Sequence, residues 1–160
     1  MTTTTRATES VESSPFRVSI TTSILIDAPQ AAVWSVLTDT AAYPQWNSFI
    51  RRWEGALAPG ARQHVRIEPT TTSGQSFRPR IIDLQPGREL TWLGRVGLPG
   101  VLDGRPRFVV EPLGEGRSRL VQSEVLSGAL VPLLRRMLTV ATPAAFSRMN
   151  AELAARATAA

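Results

Sequence analysis

The chain has 160 residues, 42% of them hydrophobic, a formal net charge of +5 and no cysteine. That length suits one domain with a single core, and the missing thiol excludes disulfides, thiolate catalysis and cysteine-bound zinc. Its basic residues are all Arg, which removes Schiff-base chemistry, and they are scattered, with no run longer than Arg51-Arg52 or Arg135-Arg136, so nucleic-acid binding is not expected. No apolar run approaches the roughly 18 to 20 residues of a membrane span. The N-terminus carries no cleavable apolar segment. These features set the expectation of a cytoplasmic protein with no membrane span, a monomer or homodimer.

Residues 1–14 are rich in Thr and Ser and nearly free of bulky apolar groups, too little to offset the entropy of ordering them. A disordered tail over residues 1–15 is expected, with the folded domain at 16–158. From Phe16 onward Val18, Ile20, Thr22, Ile24 and Ile26 alternate with the intervening side chains, the period of a half-buried strand. Asp27-Ala28-Pro29 then opens a helix, with Asp27 as its cap and Pro29 early in it. Val33, Trp34 and Leu37 form its apolar side. Asp39-Thr40 begins a second short helix that Pro44 stops, and the chain leads out into a strand at 49–57.

Beyond this the punctuation is regular. Pro59-Gly60, Pro86-Gly87 and Pro99-Gly100 each place Pro then Gly at the centre of a turn, and Gly114-Glu115-Gly116 makes another, with a loop at 70–75. Strands are expected between them at 62–68, 76–84, 89–96, 102–112 and 117–126, an antiparallel meander. Finally, over residues 127–157, Leu130, Leu134, Met137, Ala141, Ala145, Met149 and Leu153 recur at three- and four-residue steps. This is one face of a long or once-broken helix. Pro143 supplies the break. The stripe is bulky at its ends and small in its middle, at Ala141, Ala144 and Ala145, which is expected to leave space against the sheet. An antiparallel sheet with one apolar face needs cover, and this helix is the one long amphipathic element available. The fold class is therefore α+β.

Several segments carry a resemblance: Ile26-Asp27-Ala28-Pro29 with Val33-Trp34 and Leu37-Thr38-Asp39; Tyr43-Pro44-Gln45-Trp46-Asn47-Ser48-Phe49-Ile50; Phe77-Arg78-Pro79-Arg80; Pro86-Gly87-Arg88-Glu89-Leu90; Trp92-Leu93-Gly94; Ser123-Glu124; and Ser127-Gly128 ahead of Val131-Pro132-Leu133-Leu134. Over about residues 18–157 the chain resembles the SRPBCC superfamily, the helix-grip fold of START domains and birch-pollen-allergen-like proteins, and most closely its polyketide cyclase/dehydrase and lipid-transport group. The resemblance implies a curved antiparallel sheet of about seven strands wrapped around a long C-terminal helix, with two short helices after the first strand. It also implies an internal cavity for a small hydrophobic or aromatic molecule of polyketide, lipid or isoprenoid type, with no cofactor. Because the superfamily spans carriers, receptors, chaperone activators and cyclases, it does not by itself assign an activity. Relatives carry a His shortly after the position of Gly104. Here the segment reads Arg105-Pro106-Arg107-Phe108, so no role of that His transfers.

The chain's one His, His64, alternates with Val65 and Ile67 and is expected at the surface; no multi-His spacing points to a metal. Gly94, Gly97 and Gly100 have no following helix to present amides to phosphate and read as a mobile loop. Glu124 shares a strand face with Leu120, Gln122 and Leu126. Either it pairs at the sheet rim, or it faces the interior with Gln122, where a carboxylate is costly unless paired or protonated. Arg80 is the candidate partner, and the two form the candidate catalytic pair of a cyclase or dehydratase. With four Trp and five Phe in the chain, Trp46, Trp53, Phe77, Trp92 and Phe108 are the candidate cavity walls, joined by Gln122, Met137, Ala141 and Ala145 as ligand contacts. Three readings stand at this point: a carrier, an enzyme, or a partner-binding module using the sheet's outer face or the Pro99 loop.

Overall fold

The computed structural model describes residues 6–68 and 74–160. Strands β1 (Ala7–Ser14) and β2 (Arg17–Ile26) lead into helix α1 (Gln30–Thr38), a 3₁₀ turn (Thr40–Ala42) and helix α2 (Tyr43–Trp46). Strands β3 (Ile50–Glu54), β4 (His64–Ile67), β5 (Gln75–Phe77), β6 (Arg80–Gln85), β7 (Glu89–Val96), β8 (Leu102–Gly114) and β9 (Arg117–Ser127) follow. The chain ends in α3 (Val131–Arg136), a π-helical turn (Met137–Ala141) and α4 (Thr142–Ala159). The strands form an antiparallel sheet in the order β1-β2-β9-β8-β7-β6 and a smaller one, β3-β4-β5. Backbone bonds from Gln63 N–H to Pro79 O and from Ile81 N–H to Ala61 O tie the two together. The α+β helix-grip architecture is thus present.

The alternation in β2 lands as its pattern dictates, with Val18, Ile20, Thr22, Ile24 and Ile26 all buried under α4. Six expectations need correction. Residues 7–14 are not a disordered tail: they form β1, paired residue for residue from Ala7↔Ile24 to Ser14↔Arg17. An edge strand is organised by its ladder and needs little apolar surface. Val11 alone is half-buried, while Thr8 bonds Ser23 at 2.7 Å and Ser147 donates to Glu9 at 3.0 Å. Residues 1–5, the rest of the expected tail, and most of the 70–75 loop lie outside the described residues.

The expected strand at 76–84 is two strands in different sheets, because Pro79 has no N–H to continue a ladder. At α1 the cap is Pro29, extended at φ −68° and ψ 155°, whose carbonyl takes the first bonds from Ala32 and Val33; Asp27 makes no side-chain cap. Pro44 stands in the first turn of α2, where no N–H is needed, rather than stopping a helix.

The C-terminal helix runs unbroken through Pro143. The donor that proline lacks is absorbed by a π turn: Thr142 donates both its N–H and, at 3.1 Å, its hydroxyl to Met137 O, five residues back. One extra residue in the turn rotates the apolar stripe. Leu138 therefore takes the buried position, and Met137, expected inside, is 38% exposed.

Candidate functional site

On the inner face of the large sheet, the register places Ile20 of β2, Glu124 of β9 and Pro106 of β8 in one row. Thr22, Gln122, Phe108 and Leu90 form the row on one side, and Val18, Leu126, Gly104 and Gly94 the row on the other. The β7–β8 ladder lapses between Thr91↔Arg107 and Gly94↔Gly104. Pro106, without an N–H, sits in that gap opposite Trp92. Glu124 thus faces inward, among Leu120, Gln122 and Leu126, all buried.

Space for the carboxyl group comes from a missing side chain. A Cβ on Gly104 would stand 2.6 Å from Glu124 Oε1 and 3.3 Å from Leu126 Cδ2. Its ladder partner Gly94 faces open room, since a Cβ there would meet only Pro79 Cβ, at 3.9 Å. Glu124 itself is half-buried rather than buried, as are Gly94, Gly104 and Pro106 around it. Among the described residues it has neither an ion pair nor a hydrogen bond. Loss of hydration therefore acts unopposed and pushes its pKa up to about 8. Near neutral pH this favours the protonated acid, which is able to donate.

Other unpartnered polar atoms lie on the same face. Trp92 Nε1 and Gln122 Oε1 are buried with no hydrogen-bond partner among the described residues. Asn150 of α4 donates at 2.8 Å to Thr22 Oγ1, which donates at 3.2 Å to Gln122 O, fixing the helix to the sheet; its own Oδ1 is left unpaired. A linked set of aromatics bounds this face. Trp92 stacks on Trp53 with centroids 4.2 Å apart, meets Phe108 edge-on at 6.4 Å, and Trp53 in turn meets Tyr43 at 5.7 Å. Trp46 contacts Tyr43 at 5.1 Å.

Of the residues singled out from sequence, Glu124, Gln122, Trp92 and Phe108 are brought together, with Trp53 behind them. Arg80 is not. It is exposed, while Ile81 next to it is fully buried, so strand alternation turns its side chain to the outer face with the exposed Ile82. Among the described residues Glu124 has no ion-pair partner. Phe77 is half-buried on β5, and Trp46 half-buried at the end of α2. Ala145 is buried, as is its neighbour Phe146, which packs on Phe49 at 5.5 Å; Ala141 is half-buried in the π turn. His64 is at the surface, 3.7 Å from Glu54, and no metal-binding group of acids and histidines exists among the described residues.

Two concavities lie outside this interior. One of about 600 Å³ runs between residues 40–44 and 51–55, and one of about 270 Å³ sits on the outer face around Arg17, Arg95 and Arg105. Neither holds the inward polar groups. Gly94 and Gly104 were missed as site residues. Their signal was a glycine at an inward position of a strand, following Leu90 and Trp92 and preceding Pro106 and Phe108 at steps of two.

The profile of the family described as polyketide cyclase / dehydrase and lipid transport matches residues 17–160. The chain belongs to that family. Solved structures share the fold of this family member at low identity. The Zhui aromatase/cyclase from Streptomyces sp. R1128 is 18% identical, with 89% of this chain and 94% of that one covered and a TM-score of 0.75. A START superfamily protein from Mycobacterium smegmatis is 18% identical over 88% and 97%, at 0.72. A norcoclaurine synthase point mutant from Thalictrum flavum, in complex with a transition-state analogue, is 14% identical over 92% and 99%, at 0.66. No curated protein matches the chain in sequence. At such identities the likeness carries the helix-grip fold, and the residues of this polyketide cyclase/dehydrase relative must speak for its chemistry.

Proposed function

We propose that the protein binds a small hydrophobic or aromatic molecule, of polyketide, lipid or isoprenoid type, between the inner face of β7–β9 and the C-terminal helix, with Glu124 at the polar end. The observation that carries this reading is the inward carboxyl group itself. It occupies a niche made by Gly104, with free room over Gly94, aromatic side chains on one side and no protein partner among the described residues. Apolar walls with few polar groups are what such ligands need. Trp92 Nε1–H, Gln122 Oε1 and the Glu124 carboxyl give a bound molecule a donor, an acceptor and an acid.

A second reading, a cyclase or dehydratase, is favoured by the raised pKa of about 8 at Glu124. An acid poised near the working pH can protonate a carbonyl or departing hydroxyl oxygen of a substrate and take a proton back. With Arg80 on the outer face, Glu124 carries this role without the cation expected from sequence.

Glu124→Gln separates the readings, since it keeps shape and hydrogen bonding but abolishes titration. Binding of neutral aromatic polyketide-like compounds can be followed by the fluorescence of Trp92 and Trp53. For a carrier, the affinity of ligands bearing a polar group shifts and purely apolar ones bind as before. For an enzyme, turnover falls about 100-fold or more while affinity changes little. A variant indistinguishable from the parent in both assays removes Glu124 from the site.

A further inference from the structure

At the end of the molecule where β2 begins and β9 ends, three connections are tied by backbone bonds. Ala129 N–H donates to Gly100 O and Leu130 N–H to Val101 O, joining the β9–α3 link to the β7–β8 turn. Arg135 donates to Ser14 O at 2.9 Å and Pro15 O at 3.0 Å, holding the β1–β2 turn against α3. The approach is close enough to require glycine: at Gly128, φ +133°, a Cβ would stand 2.5 Å from Val101 O. Two of these connections and the first turn of α3 each offer a large apolar side chain to water, Phe16 at 60% exposure, Leu98 at 76% and Leu133 at 80%. Met137 and Val140 continue the exposed apolar line along the helix.

The surrounding charge is one-sided. Arg17, Arg105 and Arg136 have no ion pair among the described residues, and Arg17 and Arg105 line the concavity of about 270 Å³ next to Phe16. At this end Asp103 is held by Arg95 at 3.4 Å, and Glu12 lies on β1. We infer that this end docks on the surface of an anionic phospholipid bilayer, with Phe16, Leu98 and Leu133 entering the headgroup–acyl boundary and the arginines meeting lipid phosphates. Protruding apolar side chains on two turns and a helix, backed by long cationic ones, match a fluid interface better than the shaped groove of a protein partner. A second copy would bring the same positive charge to a two-fold contact, which opposes self-association. No helix among the described residues is long and apolar enough to cross a membrane, so the contact is peripheral. The inference stands apart from the internal ligand.

Co-sedimentation of the full chain with vesicles tests it, comparing phosphatidylcholine alone with phosphatidylcholine containing phosphatidylglycerol. Binding is expected to the mixed vesicles only, weakening as salt is raised. Leu98→Asp and Leu133→Asp should each lower partitioning by roughly tenfold or more, and Arg17→Glu with Arg136→Glu by at least as much. All four positions are exposed, and circular dichroism confirms that each variant is folded. Equal binding to both vesicle types, no binding to either, or variants that partition like the parent overturn the inference. So does a parent that is dimeric by native mass spectrometry and becomes monomeric on Leu133→Asp without vesicle binding, because a second copy is then the occupant.

Discussion

Between about pH 4.5, the ordinary range for a glutamate, and about pH 8, the folded protein holds a proton on Glu124 that the unfolded chain releases. Raising the pH through this window therefore weakens the fold, and the loss levels off above pH 8. Glu124→Gln lacks that proton and escapes the effect. Thermal unfolding from pH 5 to pH 9 should show the variant gaining on the parent as pH rises; parallel curves would mean that the carboxyl is hydrated or paired after all. Half of this was legible in the sequence. Alternation alone placed Glu124 with Leu120 and Leu126 and set the interior against the rim. Arg80 was its candidate partner, but alternation could not say which face of β6 turned inward, because Pro79 and a bulge between Ile81 and Asp83 reset the register there. Gly104 escaped notice because the space left by an absent side chain is visible only from the residue that fills it.

At the level of elements, β1 makes a specific demand. It covers the edge of β2 along its whole length, contacts α4 and buries part of Val11. Deleting residues 1–14 should lower the melting temperature by more than about 4 °C, the shift that about 1 to 2 kcal/mol produces in a domain of this size, and should promote association through the bared β2 edge. A change within about a degree, with no new association, would show that the ladder contributes nothing. Composition misjudged this strand, since a Thr- and Ser-rich segment has nothing to bury yet pairs well once another strand offers an open edge. The C-terminal helix was legible in type and length, and Ala145, Met149 and Leu153 are buried as their spacing required. Its first half was not, because the π turn at Met137–Ala141 advances the stripe by one residue and no periodicity rule anticipates it.

For the whole molecule, strand punctuation and the one long amphipathic helix determine a sheet gripping a helix, and the family match over residues 17–160 agrees. The site depends on how far the helix fills that grip. Around Phe146 the interior is packed, and Glu124 fills the niche at Gly104; over Gly94 there is room. That difference lies beyond the reach of sequence because it turns on the register of three strands and the rotation of one helix. Native mass spectrometry of the freshly purified parent and of Gly94→Phe, before and after incubation with neutral aromatic polyketide-like compounds, tests the internal site most directly. The account predicts a small-molecule adduct on the folded parent that is released on denaturation and is absent from the variant, whose added ring fills the room above Glu124. A parent that remains at the bare chain mass with every compound, or a variant that keeps the same adducts as the parent, would contradict it.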